Sequence, residues 1–416
     1  MQRPQAPGRV DRRRLRQTAA ILVSFMAFTA MSLVAGPAVA TVGGEGPCAL
    51  PRTDVHHSVG LDSWNSAYPR PVGALDAVMI FLSFPGAPPD TTPQELTADY
   101  FPSTTTFFRQ ASYGKFTLRP HPLRRWTMMP KPASAYAIRR DWSADERDEY
   151  LRDAVAAADP TVDFSKYDLV YLIADPDAPG VDSDATKVVN LDTPLHADGT
   201  EIRRFVTGFE RHPPDRDVLA HETGHVFDLP DLYHRPSDDK GDWDTYVGDW
   251  DVMGSQFGLA PDFFGWQKWK LGWLDRRQIG CVRGTRAQMF TLEPLEEVAA
   301  PGTDTAGTRL IVLRTGLESA LAIEARTAAG NDASTCSEGV LIYRVRAEQA
   351  SGDGPFRVVD THPHSSGCWG QSVYPPLADA PLGVGETFTV PGNGTKVEVT
   401  DRTPSGAWTV EITPVV

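Results

Sequence analysis

The sequence predicts an α/β domain built on a twisted sheet, followed by an antiparallel β domain. Before residue 280, apolar runs of strand length alternate with helical patterns, which is typical of an α/β fold. Beyond Cys281 the apolar runs become short and are separated by Gly, Pro and Asp turns, as in antiparallel sheets. The chain is also too long for one ordinary core. We therefore expect domains at residues 74–280 and 281–416.

The first forty residues have the pattern of an export signal. Four arginines between positions 12 and 16 precede an apolar run over residues 19–35, and the triplet at 38–40 fits an A-x-A cleavage site. A membrane anchor is the alternative, but the run is short for a span and is diluted by Thr and Ser. Residues 1–40 are therefore predicted to be a signal peptide. The mature protein is expected to be secreted, without stable membrane association.

The charge of the chain excludes some classes of partner. The net charge is −14, and residues 1–40 contain six arginines and one aspartate, so the mature chain would be more acidic still. Such a surface argues against nucleic acid and anionic membranes as partners. It suits a soluble secreted protein, for which a monomer is expected.

Local patterns predict the elements of the first domain. Residues 41–73 are rich in Gly, Pro, Ser and Asn and are expected to be an extended lead-in or a short pro-segment. Continuous apolar runs predict two strands that are buried on both faces. A third strand is expected before a helix that begins near residue 217. These strands cover residues 77–84, 167–174 and 200–208. Helices are predicted over 93–111, with a break at Pro102, and over 142–158.

Residues 175–184 form a Pro/Gly loop that contains four aspartates, at positions 175, 177, 182 and 184. Acidic loops can bind Ca²⁺ through oxygen ligands, but this one lacks the spacing of an EF-hand. A solvated loop is the favoured interpretation, with Ca²⁺ as the alternative.

The second domain is predicted from seven short runs with turn residues between them. Each run is long enough for one strand of an antiparallel sheet. The runs are residues 288–292, 309–314, 320–325, 340–345, 386–390, 396–400 and 408–412.

The segment HETGHVFDLPDLYH at residues 221–234 contains the candidate metal-binding and catalytic residues of the first domain. In a helix over residues 217–227, with Asp215 or Asp217 as its N-cap, His221 and His225 lie one above the other on a single face. Neutral imidazoles one turn apart can bind Zn²⁺, and Glu222 beside them can take a proton from zinc-bound water. The motif predicts a zinc site with its own general base.

Asp231 is the favoured third zinc ligand. The metzincin pattern H-E-x-x-H-x-x-G-x-x-H places its third ligand at this position, and a carboxylate oxygen can complete the site. Asp228 stands at the glycine position of that pattern, where the backbone needs φ > 0, which Asp tolerates. His234 and the later aspartates are the alternatives. Those aspartates are at 238, 239, 242, 244, 249 and 251.

Further residues fit the surroundings of such a site. Met253, in the run DWDVMGS, has the position of the methionine turn that lies beneath the metal in metzincins, although a lone Met is more often core filler. Tyr233 and Tyr246 are candidates for a donor to the transition state, with packing as the favoured role.

The four cysteines, all in the mature part, imply two disulfides in an exported chain. They allow three connectivities. We favour Cys336–Cys368, which is local to the C-terminal part, and Cys48–Cys281, which ties the mature N-terminus to the end of the first domain. The alternative, a Cys48 thiolate that caps the zinc from a pro-segment, would leave an odd cysteine.

The chain resembles the immune inhibitor A family of secreted bacterial zinc metallopeptidases, whose motif HExGHxxGLPDLYD is followed by a WDxM turn. Residues 221–225, 229–233 and 250–253 match in register, and FRQASYGK at 108–115 and KLGWL at 270–274 agree further. The resemblance covers roughly residues 75–350. It implies a metzincin-like catalytic domain with endopeptidase activity. Asp228 and His234 depart from the family pattern.

Together these features predict a secreted zinc-dependent endopeptidase that acts on proteins or peptides. His221, His225 and Asp231 would hold one zinc ion, and Glu222 would activate the water. The alternative is a catalytically silent peptide- or glycan-binding protein on a peptidase scaffold.

Overall fold

The computed structural model describes residues 46, 48–236, 240–296 and 307–415. The predicted signal peptide lies outside the described residues. Within the described part of the chain, every helix is too short or too polar to span a bilayer.

A five-stranded sheet organises the first half of the protein, with the strand order β2-β1-β3-β5-β4. Its first four members run parallel and β4 runs antiparallel at the edge. The strands are β1 (Gly73–Ser83), β2 (Phe116–Met128), β3 (Leu169–Ala174), β4 (Lys187–Ala197) and β5 (Thr200–Gly208). The sequence did not predict β4, because it lies at the sheet edge and buries only Val189 of its residues. It therefore lacks the apolar run that marks β1 and β3.

Five helices cover this sheet. They are α1 (Pro93–Tyr100), α2 (Ser103–Ala111), α3 (Ala144–Ala158), α4 (Val218–Val226) and α5 (Gly265–Lys270). Thr92 forms a capping box with Glu95 at the start of α1, and the chain breaks at Pro102 as the sequence predicts. Alternate residues of β1 bury in two separate apolar clusters, one shared with α1, α2 and α4 and the other with α3. The strand is thus covered on both faces, as its continuous apolar run predicted.

The second half of the protein is built from two further sheets. Their strand orders are β11-β10-β9-β8-β6 and β12-β13-β14-β7, and all pairs are antiparallel except β6 with β8. The first sheet contains β6 (Ile279–Cys281), β8 (Leu310–Arg314), β9 (Ser319–Arg326), β10 (Gly339–Arg346) and β11 (Phe356–Val358). The second contains β7 (Gln288–Leu292), β12 (Thr387–Thr389), β13 (Lys396–Arg402) and β14 (Trp408–Thr413). All seven predicted strands are present, whereas the three-residue strands β6 and β11 were not predicted.

The change of pattern near residue 281 does not interrupt the core. One apolar cluster contains residues of α4 and α5 together with Leu310 of β8 and Tyr343 of β10. The disulfides are Cys48–Cys281 and Cys336–Cys368, the pairing that the sequence favoured. The first of them attaches residues 48–72, called the N-terminal segment below, to strand β6.

A buried ionic cluster lies where β9 meets the first half of the protein. The guanidinium of Arg326 is fully buried and contacts Glu296 at 2.8 Å, Glu324 at 3.0 Å and Asp332 at 2.5 Å. It also donates hydrogen bonds to three backbone carbonyls, those of Trp250, Ala260 and Asp262. Asp262 in turn pairs with the buried Lys268 at 2.7 Å. The cluster therefore connects the C-terminal sheet to the segment that follows residues 221–234.

The carboxylates of this cluster outnumber its cations, and we expect stability to depend on pH. Burial, with a contribution from Asp332, raises the pKa of Glu296 well above its ordinary value, against the effect of Arg326. A raised folded pKa gives stability that is present below the unfolded pKa of about 4.3 and is lost as pH rises through the folded pKa. Glu296→Gln, which stays neutral, should flatten the fall in unfolding temperature between roughly pH 5 and pH 8.

Thermal unfolding followed across this pH range checks the expectation. The exposed Glu318→Gln is the matched control and should reproduce the parent curve. A Glu296→Gln curve parallel to the parent curve would show that Glu296 is already ionised in the folded protein.

Candidate metal centre

Helix α4 carries the two histidines, and all nine of its residues are buried. Asp217 stands at the N-cap position with φ 58°, but its side chain makes no capping hydrogen bond. Side-chain capping by Asp217 was therefore a wrong expectation. The helix is short because Phe227 and Asp228 turn the chain, and Asp228 has φ 62°. The left-handed backbone predicted for this position is present.

Both histidines are oriented by backbone carbonyls. Nδ1 of His221 lies 2.8 Å from the carbonyl oxygen of Val252, and Nδ1 of His225 lies 2.8 Å from that of Leu229. A carbonyl can only accept, so each Nδ1 carries a hydrogen, and in the neutral form of each imidazole Nε2 keeps its lone pair. This is the arrangement of metal-ligating histidines, whose second nitrogen donates to a carbonyl or a carboxylate.

Asp231 faces the two Nε2 atoms. Its Oδ1 lies 3.0 Å from Nε2 of His225 and 3.5 Å from Nε2 of His221. That Oδ1 is buried and makes no hydrogen bond of good geometry within the described structure. Its Oδ2 accepts a hydrogen bond of 3.0 Å from Oγ of Ser351, which also accepts from the Asp231 backbone N–H. Ser351, in the loop between β10 and β11, thus orients Asp231.

These three side chains form a group that could hold a metal ion. One ligand atom from each lies within 4.8 Å of the other two, and no other such group of His, Cys, Asp or Glu occurs among the described residues. Two imidazole nitrogens and one carboxylate oxygen suit Zn²⁺ with a fourth position left for water or substrate. The buried Oδ1 of Asp231 faces the two Nε2 atoms and makes no hydrogen bond of good geometry to any other group within the described structure, which is an arrangement that a cation shared by the three atoms would suit.

Glu222 lies beside this group. Its side chain is almost fully buried, and its Oε2 accepts a hydrogen bond of 2.6 Å from the backbone N–H of Val188 on β4. Burial raises the pKa of Glu222, against the lowering effect of the two histidines. The edge strand β4 therefore orients the carboxylate of Glu222. The sequence did not predict this role for Val188, because every residue except proline has a backbone N–H and the residue type therefore does not mark the donor.

Met253 lies beneath α4, at the position predicted for the methionine turn. It is fully buried, and a Cβ built on Gly224 would lie 2.5 Å from its Sδ atom. The turn is fixed by Asp251, whose Oδ1 accepts from the Met253 N–H at 2.8 Å, and by the Leu232 N–H, which donates to the Met253 carbonyl. Gly224, between the two histidines, therefore has no room for a side chain.

We expect Gly224→Ala to destabilise the protein although alanine favours helices. Alanine gains about 1 kcal/mol in helix propensity, whereas overpacking against the buried Met253 costs about 1–3 kcal/mol. Relief of this overpacking would move helix α4, which carries His221 and His225, so zinc affinity should fall. Chemical denaturation and zinc titration measure the two effects. Adding Met253→Ala should restore room and recover part of both losses, and a double variant no better than Gly224→Ala would contradict this packing.

The other predicted residues lie around this centre in different ways. The ring of Tyr233 stacks on that of His221 with centroids 6.2 Å apart, and burial with the nearby carboxylates raises the pKa of its phenol. Tyr246 packs instead against His234 and under the guanidinium of Arg357. The role of a donor at the metal therefore suits Tyr233 better than Tyr246.

The alternative ligands have other partners. Asp249 and Asp251 accept hydrogen bonds from backbone N–H groups of their own loop, and the candidates at 238 and 239 lie outside the described residues. In the acidic loop at 175–184, the carboxylates of Asp175 and Asp182 accept from N–H groups two residues ahead. Local turns therefore account for the carboxylates of Asp175 and Asp182.

Two polar cavities adjoin the centre. One of about 300 Å³ contains Glu222 and is lined mainly by charged and polar side chains, among them Arg140, Glu210 and Arg211. The other, of about 680 Å³, lies between the N-terminal segment and the β4–β5 hairpin and contains Asp228 in its wall. Both are richer in hydrogen-bonding groups than in apolar surface.

Comparison with known proteins adds little to this geometry. The chain matches no family model and no curated protein. A crystal structure of wild-type OgpA from Akkermansia muciniphila is similar over 72% of this chain and 95% of its own, with 11% sequence identity and a TM-score of 0.27. A likeness of this degree supports no conclusion about fold or function.

Proposed function

We propose that this protein is a secreted zinc-dependent endopeptidase with a metzincin-like catalytic half. His221, His225 and Asp231 would hold the zinc ion, and Glu222 would be the general base. The proposal is carried by one observation: the Nε2 atoms of His221 and His225 and the buried Oδ1 of Asp231 converge beside a second buried carboxylate, that of Glu222. The two disulfides and the pattern of residues 1–40 support an extracellular location.

The zinc ion would supply a Lewis acid that polarises the scissile carbonyl and lowers the pKa of water at the site. Glu222 then removes a proton from the attacking water and returns it to the leaving amine. The hydrogen bond from Val188 holds one oxygen of Glu222, so the other remains for the water. The carbonyls of Val252 and Leu229 keep both histidines in the tautomer that can bind metal.

The polar lining of the cavity that contains Glu222 bears on the side chains that a substrate would carry. Proteins or peptides are the expected substrates, and the charged lining of the adjoining cavity favours polar over large apolar side chains next to the scissile bond. The resemblance in residues 221–253 to secreted zinc peptidases supports the same reaction.

Metal analysis combined with cleavage-site profiling tests this proposal. The purified protein should contain one zinc ion per chain and cleave a peptide library, and a chelator should abolish cleavage until zinc is restored. Cleavage that persists in a chelated, zinc-free sample would overturn it. One zinc ion without turnover on several unfolded substrates would favour a peptide- or glycan-binding protein instead.

A further inference from the structure

Residues 48–72 contain no helix or strand in the structure, yet they pack into the body of the protein. Cys48 is bonded to Cys281, and the carbonyl of Val59 accepts a hydrogen bond of 2.8 Å from the indole of Trp266. A second indole, that of Trp273, donates to the carbonyl of Pro71 at 2.7 Å. Buried indoles need such acceptors. The N-terminal segment therefore supplies partners that the interior requires.

Two side chains of the same segment and one of α5 surround Asp228 with donors. Oδ2 of Asp228 lies 2.8 Å from Nη1 of Arg52 and 3.2 Å from Nζ of Lys270, and its Oδ1 lies 3.0 Å from Nδ1 of His57. The side chains of Asp228, His57 and Lys270 are each at least 97% buried. Lys270 also donates to the backbone carbonyls of Asp228 and Ser58. Both the side chain and the backbone of Asp228 are thus held.

Asp228 lies at the point where the chain must leave α4 and turn back toward the metal centre. Its φ of 62° is a conformation that glycine adopts freely and aspartate adopts at a cost. The next residue, Leu229, provides the carbonyl that orients His225, and Asp231 follows two residues later. The ring of His57 stacks on that of His225, with centroids 5.7 Å apart and planes 24° apart. A change at Asp228 would therefore reach both ligands.

We propose that residues 48–72 are a permanent part of the working protein, and that Arg52, His57 and Lys270 act through Asp228 to position His225 and Asp231 for the metal. These are positioning residues, since none of them contacts the metal-binding atoms. The inference rests on the proposed function only in requiring a bound zinc ion. It interprets 48–72 as a retained wall of the site rather than a removable pro-segment.

Zinc affinity of Asp228 variants, measured by competition with a chromophoric chelator, tests the positioning role. Asp228→Gly keeps the backbone freedom but removes the carboxylate, and Asp228→Asn keeps the size but removes the charge. Changes to residues that hold the metal ligands in place typically weaken metal binding about 10–100-fold, and we expect both variants to fall in that range. Asp54→Asn, an exposed carboxylate of the same segment, is the matched control and should bind zinc as the parent does.

Arg52→Gln guards against a trivial loss of folding. Arg52 is only 20% exposed and pairs with the buried Asp228, so its removal should lower the unfolding temperature; zinc affinity measured well below that temperature, where the variant is folded, should still fall about tenfold. In peptide cleavage at saturating zinc, kcat should fall more than KM rises. The positioning role is overturned if Asp228→Gly and Arg52→Gln both hold zinc as tightly as the parent. A parent protein that binds no zinc would instead refute the proposed function.

Whether residues 48–72 remain in the working protein is tested by a separate measurement. Mass spectrometry of the secreted, zinc-loaded protein should find an N-terminus before Cys48. An active form that begins after Tyr68, with zinc affinity unchanged, would overturn the claim that the segment is permanent.

Discussion

Replacing Glu222 with glutamine is expected to lower peptide cleavage by about 10²–10⁴-fold while zinc remains bound. Glutamine retains the acceptor oxygen for the Val188 N–H at 2.6 Å, so the fold at β4 should be preserved. It cannot take a proton from water, because an amide is not a base at neutral pH. The loss should therefore appear in kcat rather than in metal content.

Steady-state kinetics and zinc stoichiometry on the same sample check this result. Glu210→Gln is the matched control, since Glu210 is a second carboxylate in the wall of the cavity that contains Glu222. It changes the charge of the cavity without removing the proposed base, and should have a far smaller effect on kcat. Parental turnover by the Glu222 variant would mean that another group removes the proton.

Replacing Arg326 with methionine is expected to destabilise the protein by about 3–5 kcal/mol, the usual cost of removing one partner from a buried ion pair. The variant leaves Glu296, Glu324 and Asp332 buried without their guanidinium. It also removes the donor to the carbonyls of Trp250 and Ala260, which flank the methionine turn. The metal centre should therefore loosen together with the sheet.

Equilibrium denaturation measures this loss of free energy. Arg402→Met is the matched control, because Arg402 pairs with Glu338 at 3.0 Å on the surface, where ion pairs are worth about 0–1 kcal/mol. If both substitutions cost the same, the Arg326 cluster would contribute no more than an exposed pair. Zinc affinity of the Arg326 variant then shows whether the cluster supports the metal centre.

Local patterns were enough to predict most of the secondary structure. Continuous apolar runs identified β1 and β3, and Pro102 marked the break between α1 and α2. Strand β4 was missed because an edge strand with one buried residue has no apolar period. Asp217 occupies the N-cap position, as one of the two residues that the sequence offered, but its backbone is left-handed and its side chain makes no capping hydrogen bond.

Local patterns also predicted part of the candidate site. Residues four apart on a helix must share a face, so the sequence alone placed His221 and His225 together with Glu222 beside them. The spacing to Asp231 and Met253 likewise stays within one motif of about thirty residues. Such contacts are set by the geometry of a single turn or loop.

What only the tertiary structure decided is how that motif is held. Ser351 orients Asp231 across 120 residues of chain, and His57 reaches Asp228 across 171. No periodicity or spacing encodes such contacts, because they depend on which surfaces the packed sheets bring together. The sequence by itself predicted the candidate ligands and the candidate base. The tertiary structure decided that a left-handed Asp228 is held by Arg52 and His57 of the N-terminal segment and by the buried Lys270 of α5, at the turn that leads to Asp231.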